Sequence, residues 1–188
     1  LDTSRGLGDV YKRQDKDSIP LLKGITIKMD VSRYNDSIRN KTYIGRIGEN
    51  KKSSFVSSKK EENYVIAKVN NLGDFVIKID SIKPNISVID ISDNQWISNR
   101  KNLSIKISDN ESGVKNYRGT INDKWILLEY NPMKGILSYD FNDNVNKDDA
   151  KNVLEIKIED NVGNEKKLIK TFYRKIKQWK KFYRSLYI

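Results

Sequence analysis

The sequence predicts an all-β chain: two β-sandwich domains, the second immunoglobulin-like with about seven strands, then a short basic C-terminal helix or tail. Three observations carry this prediction. The stretch from Val114 to Phe141, VKNYRGTINDKWILLEYNPMKGILSYDF, places bulky runs between Asn122-Asp123 and Asn131-Pro132-Met133-Lys134-Gly135. Such runs bounded by turn residues are the sequence sign of a three-stranded meander. Ten Tyr and three Trp give the chain more aromatic side chains than a disordered segment carries. Short apolar runs with period 2 recur on both sides of the meander, as in half-buried strands.

Taken in order, residues 4–14 read SRGLGDVYKRQ. This string is similar to the translation of a transposon-based sequencing adapter. Residues 1–14 are therefore set apart from the fold, and Gly6 and Gly8 are not read as a phosphate-binding loop. On this reading the natural protein begins near Asp15, with part of it lost upstream.

Residues 18–82 form a small β domain. Ile25, Ile27, Met29 and Val31 alternate with Thr26, Lys28 and Asp30, the pattern of a strand with one wet face. Further strands are expected at residues 43–47, 55–56, 64–69 and 75–79. The run KKSSFVSSKKEEN reads as hairpin tips around one short strand. A core built from so few residues is marginal, and a strand replaced by the adapter would leave an unpaired edge. The boundary falls at Asp80-Ser81-Ile82-Lys83-Pro84, because proline gives no amide to a central ladder and biases Lys83 toward an extended form.

Residues 85–174 form the second domain, with strands expected at 86–91, 103–107, through the meander, and at 153–158 and 168–173. LSIKISDNESG from Leu103 is echoed by LEIKIEDNVGN from Leu154, two similar strand-plus-turn units. Trp125 lies in the bulky run WILLEY, which is read as one central strand from Trp125 to Tyr130 with the indole buried. Trp96, in the turn-like DNQWISN, is expected to be more exposed. In the tail, KIKQWKKFYRSLYI, Ile176, Trp179, Tyr183 and Leu186 have helical spacing, and the cations have no acidic neighbours.

Lys and Arg number 36 against 25 Asp and Glu, for a formal charge of +11. Lysines scattered among acids read as a solvated surface. The chain has no His and no Cys. That excludes disulfides, thiolate nucleophiles and Cys-ligated zinc, and it removes the commonest general base and metal ligand. No apolar run is long enough to span a bilayer. The acidic loops 109–113 and 160–164 carry the oxygens of calcium ligands, but Asp, Asn and Gly in this order read first as turns. Residues 140–149, DFNDNVNKDD, lack the Gly and terminal Glu of an EF-hand. Glu129 and Asp140 are a carboxylate pair on neighbouring strands with nothing to set the separation that glycoside cleavage needs.

The candidate binding residues are Trp96, as a stacking platform, and Lys175, Lys177, Trp179, Lys180, Lys181 and Arg184 of the tail. The tail's aromatic and basic residues suit an anionic envelope surface, with nucleic acid the weaker partner. No catalytic residue, metal ligand or cofactor is assigned.

With the strands placed, YRGTINDKWILLEY, KGILSYDFND and LEIKIEDNVGNEKKLIKTFYRK closely resemble the C-terminal immunoglobulin-like region of bacterial lysostaphin-like zinc metallopeptidases, which are cell-wall hydrolases. LGDFVIKIDSIKPNI is similar to the junction before that region, with Lys83-Pro84 where the family often has Pro-Pro. The resemblance is close over residues 70–174, loose over 18–69, and does not include the tail. Those enzymes bind zinc through His and Asp, so none of their catalytic residues transfers to a chain without His. The resemblance implies a non-catalytic accessory module whose peptidase domain lies upstream, in the cell envelope: periplasmic, outer-membrane-associated or secreted. Its expected partners are that catalytic domain and a cell-wall polymer or anionic envelope surface. The alternative is a stand-alone adhesin-like or scaffold module that binds protein or glycan.

Overall fold

The computed structural model describes residues 20–48, 51–142 and 150–175. The chain divides into two compact units. The first takes the chain up to Ile82 with residues 110–113 and 161–163, and the second takes the remainder. The described residues are almost wholly β.

The first unit comprises β1 (Pro20–Asp30), α1 (Asp36–Arg39), β2 (Thr42–Ile47), β3 (Ser53–Val56), β4 (Ser58–Glu61), β5 (Tyr64–Asn71) and β6 (Asp74–Ile79). These make two three-stranded sheets, ordered β1-β5-β4 and β3-β2-β6. Val31, Ile44, Val65, Ala67 and Val69 form the core between them. The alternation read in β1 places Ile27 opposite Ala67 and Met29 opposite Val65. Two elements were not expected. The one-turn helix α1 begins because the Asn35 carboxamide oxygen accepts the Ile38 amide at 2.9 Å, which satisfies a donor the helix leaves unpaired. Strand β4 was read as a hairpin tip. Its polar residues pair with β5, with Ser58 opposite Ala67 and Glu61 opposite Tyr64. It is a strand through its partner's ladder rather than its own apolar pattern, and its lysines mark it as a guarded edge.

The second unit comprises β7 (Asn85–Val88), β8 (Gln95–Trp96), β9 (Asn102–Ser108), β10 (Val114–Ile121), β11 (Lys124–Ile126), β12 (Glu129–Asn131), β13 (Ile136–Asp140), β14 (Lys151–Asp160) and β15 (Glu165–Tyr173). A five-stranded sheet, β11-β10-β14-β15-β8, faces a four-stranded one, β12-β13-β9-β7. The sequence echo acquires a physical meaning here. Leu103, Ile105 and Ile107 of β9 and Leu154, Ile156 and Ile158 of β14 are all buried in one core. They are the inner rows of a central strand in each sheet. Both units of the echo carry a glycine of positive φ in their turn, Gly113 at 82° and Gly163 at 80°, a conformation open to glycine at little steric cost.

The meander is corrected. Val114–Ile121 and Lys124–Ile126 do form a hairpin, turned by Asn122 and Asp123 with φ of 48° and 63°. The run WILLEY is two strands rather than one, and the chain passes from one sheet to the other between Ile126 and Glu129. Gly119 permits this crossing. A Cβ there would lie 2.7 Å from Leu128 Cδ1, so Leu128 packs over the space where β10 has no side chain.

The expected burial of Trp125 is also corrected: it is 58% exposed, as exposed as Trp96 at 59%. Ile126 and Leu128 are buried, whereas Trp125, Leu127 and Glu129 are exposed. Strict period 2 persists through the run, and the bulk of the side chains conceals it. Glu129 shares its parity with Trp125, and that is the signal that could have placed the indole outside.

Candidate functional site

The second unit's five-stranded sheet carries an exposed tryptophan on each end strand, Trp125 on β11 and Trp96 on β8. Trp96 is the more fully built of the two. The segment around it is held to β15 by three bonds: Thr171 N donates to Asp93 Oδ1 at 2.8 Å, Asn94 N to Thr171 O at 2.7 Å, and Ile97 N to Tyr173 O at 2.8 Å. Within the segment, Ser92 N donates to the Gln95 side-chain oxygen at 2.9 Å. Ile97 is buried in the core and anchors the segment, while period 2 turns Trp96 outward. The parallel pairing of β8 with β15 sets Trp96 opposite Tyr173. Their rings stack at 5.3 Å between centroids with 28° between planes. The indole is therefore fixed on an aromatic backing before any ligand arrives.

Two cations lie beside this platform, Lys175 and Arg100, the latter 4.0 Å from the Asp90 carboxylate. A hollow of about 320 Å³ is lined by Trp96 to Arg100 and by Lys175. Lys175 N donates to Ser98 Oγ at 2.9 Å. Arg174 holds the loop from beneath: its Nη1 donates to Ile97 O at 3.1 Å and to Arg100 O at 2.9 Å. Its guanidinium lies 3.9 Å from the centre of the Phe141 ring. Burial lowers its pKa from the ordinary arginine value, and Tyr139 acts against that. A flat aromatic surface rimmed by Arg100, Lys175, Ser98 and Asn99 can stack on a sugar face and pair with an anionic substituent.

The structure thus brings together two of the sequence-predicted residues, Trp96 and Lys175. Lys177, Trp179, Lys180, Lys181 and Arg184 lie outside the described residues, as do most of the oxygens of the 140–149 loop. Tyr173 and Arg100 were missed, because parallel pairing with a two-residue strand leaves no periodic trace.

The acidic loop 160–164 forms a bonded turn. The Asp160 carboxylate accepts Asn164 N and Asn164 Nδ2, both at 2.7 Å. Glu129 is opposite Ser138 and Asp140 is opposite Asn102, so these two carboxylates do not form a direct cross-strand pair.

Compared with known proteins, residues 2–80 match the Zu5-like domain family; this span includes the adapter-like string. No curated protein sequence matches the chain. Among solved structures, the chain is similar to the endo-β-1,4-mannanase of Thermotoga petrophila at 15% identity and a TM-score of 0.43, over 51% of this chain and 20% of that one. It is similar to a variant of the SrpA adhesin of Streptococcus sanguinis at 15% identity and a TM-score of 0.36, over 51% of this chain and 59% of that one. The fibronectin(III)-like modules of Clostridium thermocellum CbhA match at 11% identity and a TM-score of 0.39, over 88% of this chain and 92% of that one. The chain thus spans a minor part of the mannanase and less than two thirds of the adhesin.

Proposed function

We propose that the chain is the non-catalytic accessory region of a cell-envelope peptidoglycan metallopeptidase, and that it acts by placement. The observation that carries this is the Trp96 platform, stacked on Tyr173, half exposed, and rimmed by Arg100 and Lys175. That chemistry suits a polymer that presents sugar faces together with anionic groups. The link to a peptidase rests on the resemblance of residues 70–174, and the lack of His and Cys is why the chain is read as the non-catalytic part. The catalytic zinc domain lies outside this chain and holds its own ligands. A second contact with the same polymer raises the effective concentration of a tethered enzyme at its substrate. The +11 charge adds a salt-sensitive attraction to an anionic envelope.

Co-sedimentation of the chain with purified peptidoglycan sacculi tests the reading. The chain should pellet with sacculi, and Trp96→Ala should weaken retention by about two- to tenfold, the worth of one aromatic stack. Retention unaffected by Trp96→Ala would remove the platform from the account. Absence of retention at low salt would leave the adhesin-like reading in front. Sequencing through the locus tests the partner: an upstream frame without a zinc peptidase domain would refute the enzyme association.

A further inference from the structure

Strand β10 is covered along its whole length on only one of its long edges. Toward β14 it is paired from Val114 to Ile121. Toward β11 it is paired only at Gly119, Thr120 and Ile121. Strand β11 ends the sheet, and no described strand continues the ladder past Gly119 on that side. The chain leaves because Leu128 turns over Gly119 into the core.

The direction in which the uncovered backbone points follows from the turn. Asn122 and Asp123 form a two-residue hairpin loop, and both have positive φ. In such a hairpin the flanking residues, here Ile121 and Lys124, exchange both backbone hydrogen bonds. Antiparallel pairs then alternate, so Gly119 opposite Ile126 is a pair of the same kind. Two residues further back, the N–H and C=O of Tyr117 aim into the space that β11 has vacated. The irregularity between Val114 and Asn116 closes the usable edge at its other end.

That space is a cavity of about 390 Å³, whose lining includes Lys115, Tyr117, Arg118, Trp125 and Leu127 and contains no acidic residue. Lys115 is directed to Glu159, 3.3 Å away across the sheet. Arg118 takes no part in the ion pairs of the described residues: on its β14 side it shares a hollow with Glu159 and Glu165, but Lys115 takes the first and Lys157 the second. Arg118 and Thr120 face outward, and Thr120 is opposite Trp125, so the guanidinium and the exposed indole share the outer face. The Tyr117 ring rests 5.7 Å from that of Tyr130. A backbone donor and acceptor pair, a cation and an apolar surface meet on one strand edge.

We propose that this edge of β10, from Asn116 to Arg118, binds an extended acidic peptide by strand addition. Tyr117 supplies the backbone pairing. Arg118 takes an outward carboxylate of the peptide, and Trp125 and Leu127 take an apolar neighbour. A glycan has no amide ladder to match the Tyr117 backbone, which is why a peptide is favoured over a sugar at this rim. The site is distinct from the Trp96 platform, which lies on the other end strand of the sheet.

The test is an NMR titration of the full chain with a capped synthetic hexapeptide of alternating Glu and Val. A second peptide is N-methylated at alternate amides, and a third carries Lys in place of Glu. The expected result is amide shifts centred on residues 116–118 with the first peptide. They should be lost with the N-methylated peptide, which cannot pair, and weakened at least about tenfold with the Lys peptide or in Arg118→Glu, where like charges meet. Tyr117→Pro should abolish the shifts, because it removes the outward amide at an edge position where proline is tolerated. Arg118→Glu keeps the test sound if the proline variant fails to fold. Absence of shifts at millimolar peptide, or shifts indifferent to N-methylation and to Arg118→Glu, would overturn the proposal. Shifts at Trp125 induced by a soluble peptidoglycan oligosaccharide but not by the acidic peptide would overturn it in favour of a glycan.

Discussion

The two units build similar two-sheet architectures on very different amounts of apolar material. The first closes its pair of three-stranded sheets on Val31, Ile44, Val65, Ala67 and Val69, with Tyr43 its one large buried aromatic among the described residues. The second places 14 buried residues between nine strands, including Tyr139 and Phe172. Small sandwiches bury a smaller fraction of their surface and are less stable for it. The difference teaches where each unit has margin. In the second, the core is deep enough that large aromatic residues can be left on both end strands. In the first, no Trp is present at all.

That comparison can be broken most severely at the centre of the second core. Ile156 is fully buried on β14, and Ile156→Ala should cost about 2–5 kcal/mol. Trp96 and Trp125, the described tryptophans, both belong to this unit, so denaturant unfolding followed by tryptophan emission checks it. A change below about 1 kcal/mol would show that the two central rows do not share one core.

Ile44→Ala makes the same chemical deletion in the first unit, where Ile44 is fully buried. The cost per site is again about 2–5 kcal/mol, but it falls on a core of five residues. Hydrogen exchange at the amides of β5 should accelerate by at least about 30-fold, the factor that 2 kcal/mol represents. Protection unchanged in β5 would mean that the first unit draws its stability from elsewhere.

Gly119→Ala probes the crossing between the sheets. The added methyl meets Leu128 at 2.7 Å and Ile126 and Ile156 at 3.1 Å, and overpacking of this kind costs about 1–3 kcal/mol. Trp125→Ala should be milder, within about 0.5 kcal/mol, as for an exposed site. The order Ile156, Gly119, Trp125 is itself the prediction, and thermal melts of the three variants check it. A Trp125 effect equal to that of Ile156 would restore the buried strand read from the sequence.

The smallest effect concerns pH and the first unit. The Asp30 carboxylate accepts Ser32 N at 2.7 Å. That backbone bond is the first cause of a pKa below 3.8, followed by the Ser32 side chain. A depressed carboxylate contributes stability above its unfolded value and loses it as pH falls through the folded one. Asp30→Asn should therefore narrow the stability difference between neutral pH and pH below about 4. Identical acid melting curves for the two proteins would remove Asp30 from the account.

What was legible in the sequence followed periodicity. The alternation in β1, β9 and β14 identified strands and inner faces, and the turn residues at 122–123 located a real hairpin. What escaped depended on partners distant in the chain. β4 has no apolar signature and exists through β5. β8 is two residues long and is defined by Tyr173 and its neighbour. WILLEY was read by bulk when its parity already separated Ile126 and Leu128 from Trp125, Leu127 and Glu129. The platform was half visible: Trp96 and Lys175 stood out as residue types, but the Tyr173 backing required the fold.

The pairing of β8 with β15 also carries a kinetic meaning. Three strand pairs of the second unit, β10–β11, β12–β13 and β14–β15, join chain neighbours across short turns, the last around Asn161 to Asn164. β8 must find residues 77 positions away, the separation of the Arg174 to Ile97 bond, and it brings only two residues to the ladder. Closing so long a loop costs entropy before any contact compensates, so distant pairings form late. The aromatic stack of Trp96 on Tyr173 is then a product of the final closure. In a refolding experiment its emission should reach the native value in the slowest phase, after the β14–β15 hairpin has formed. A nascent or partly folded chain would display the acidic turns and the hairpins but no platform, so binding through Trp96 would begin only when the sandwich is complete.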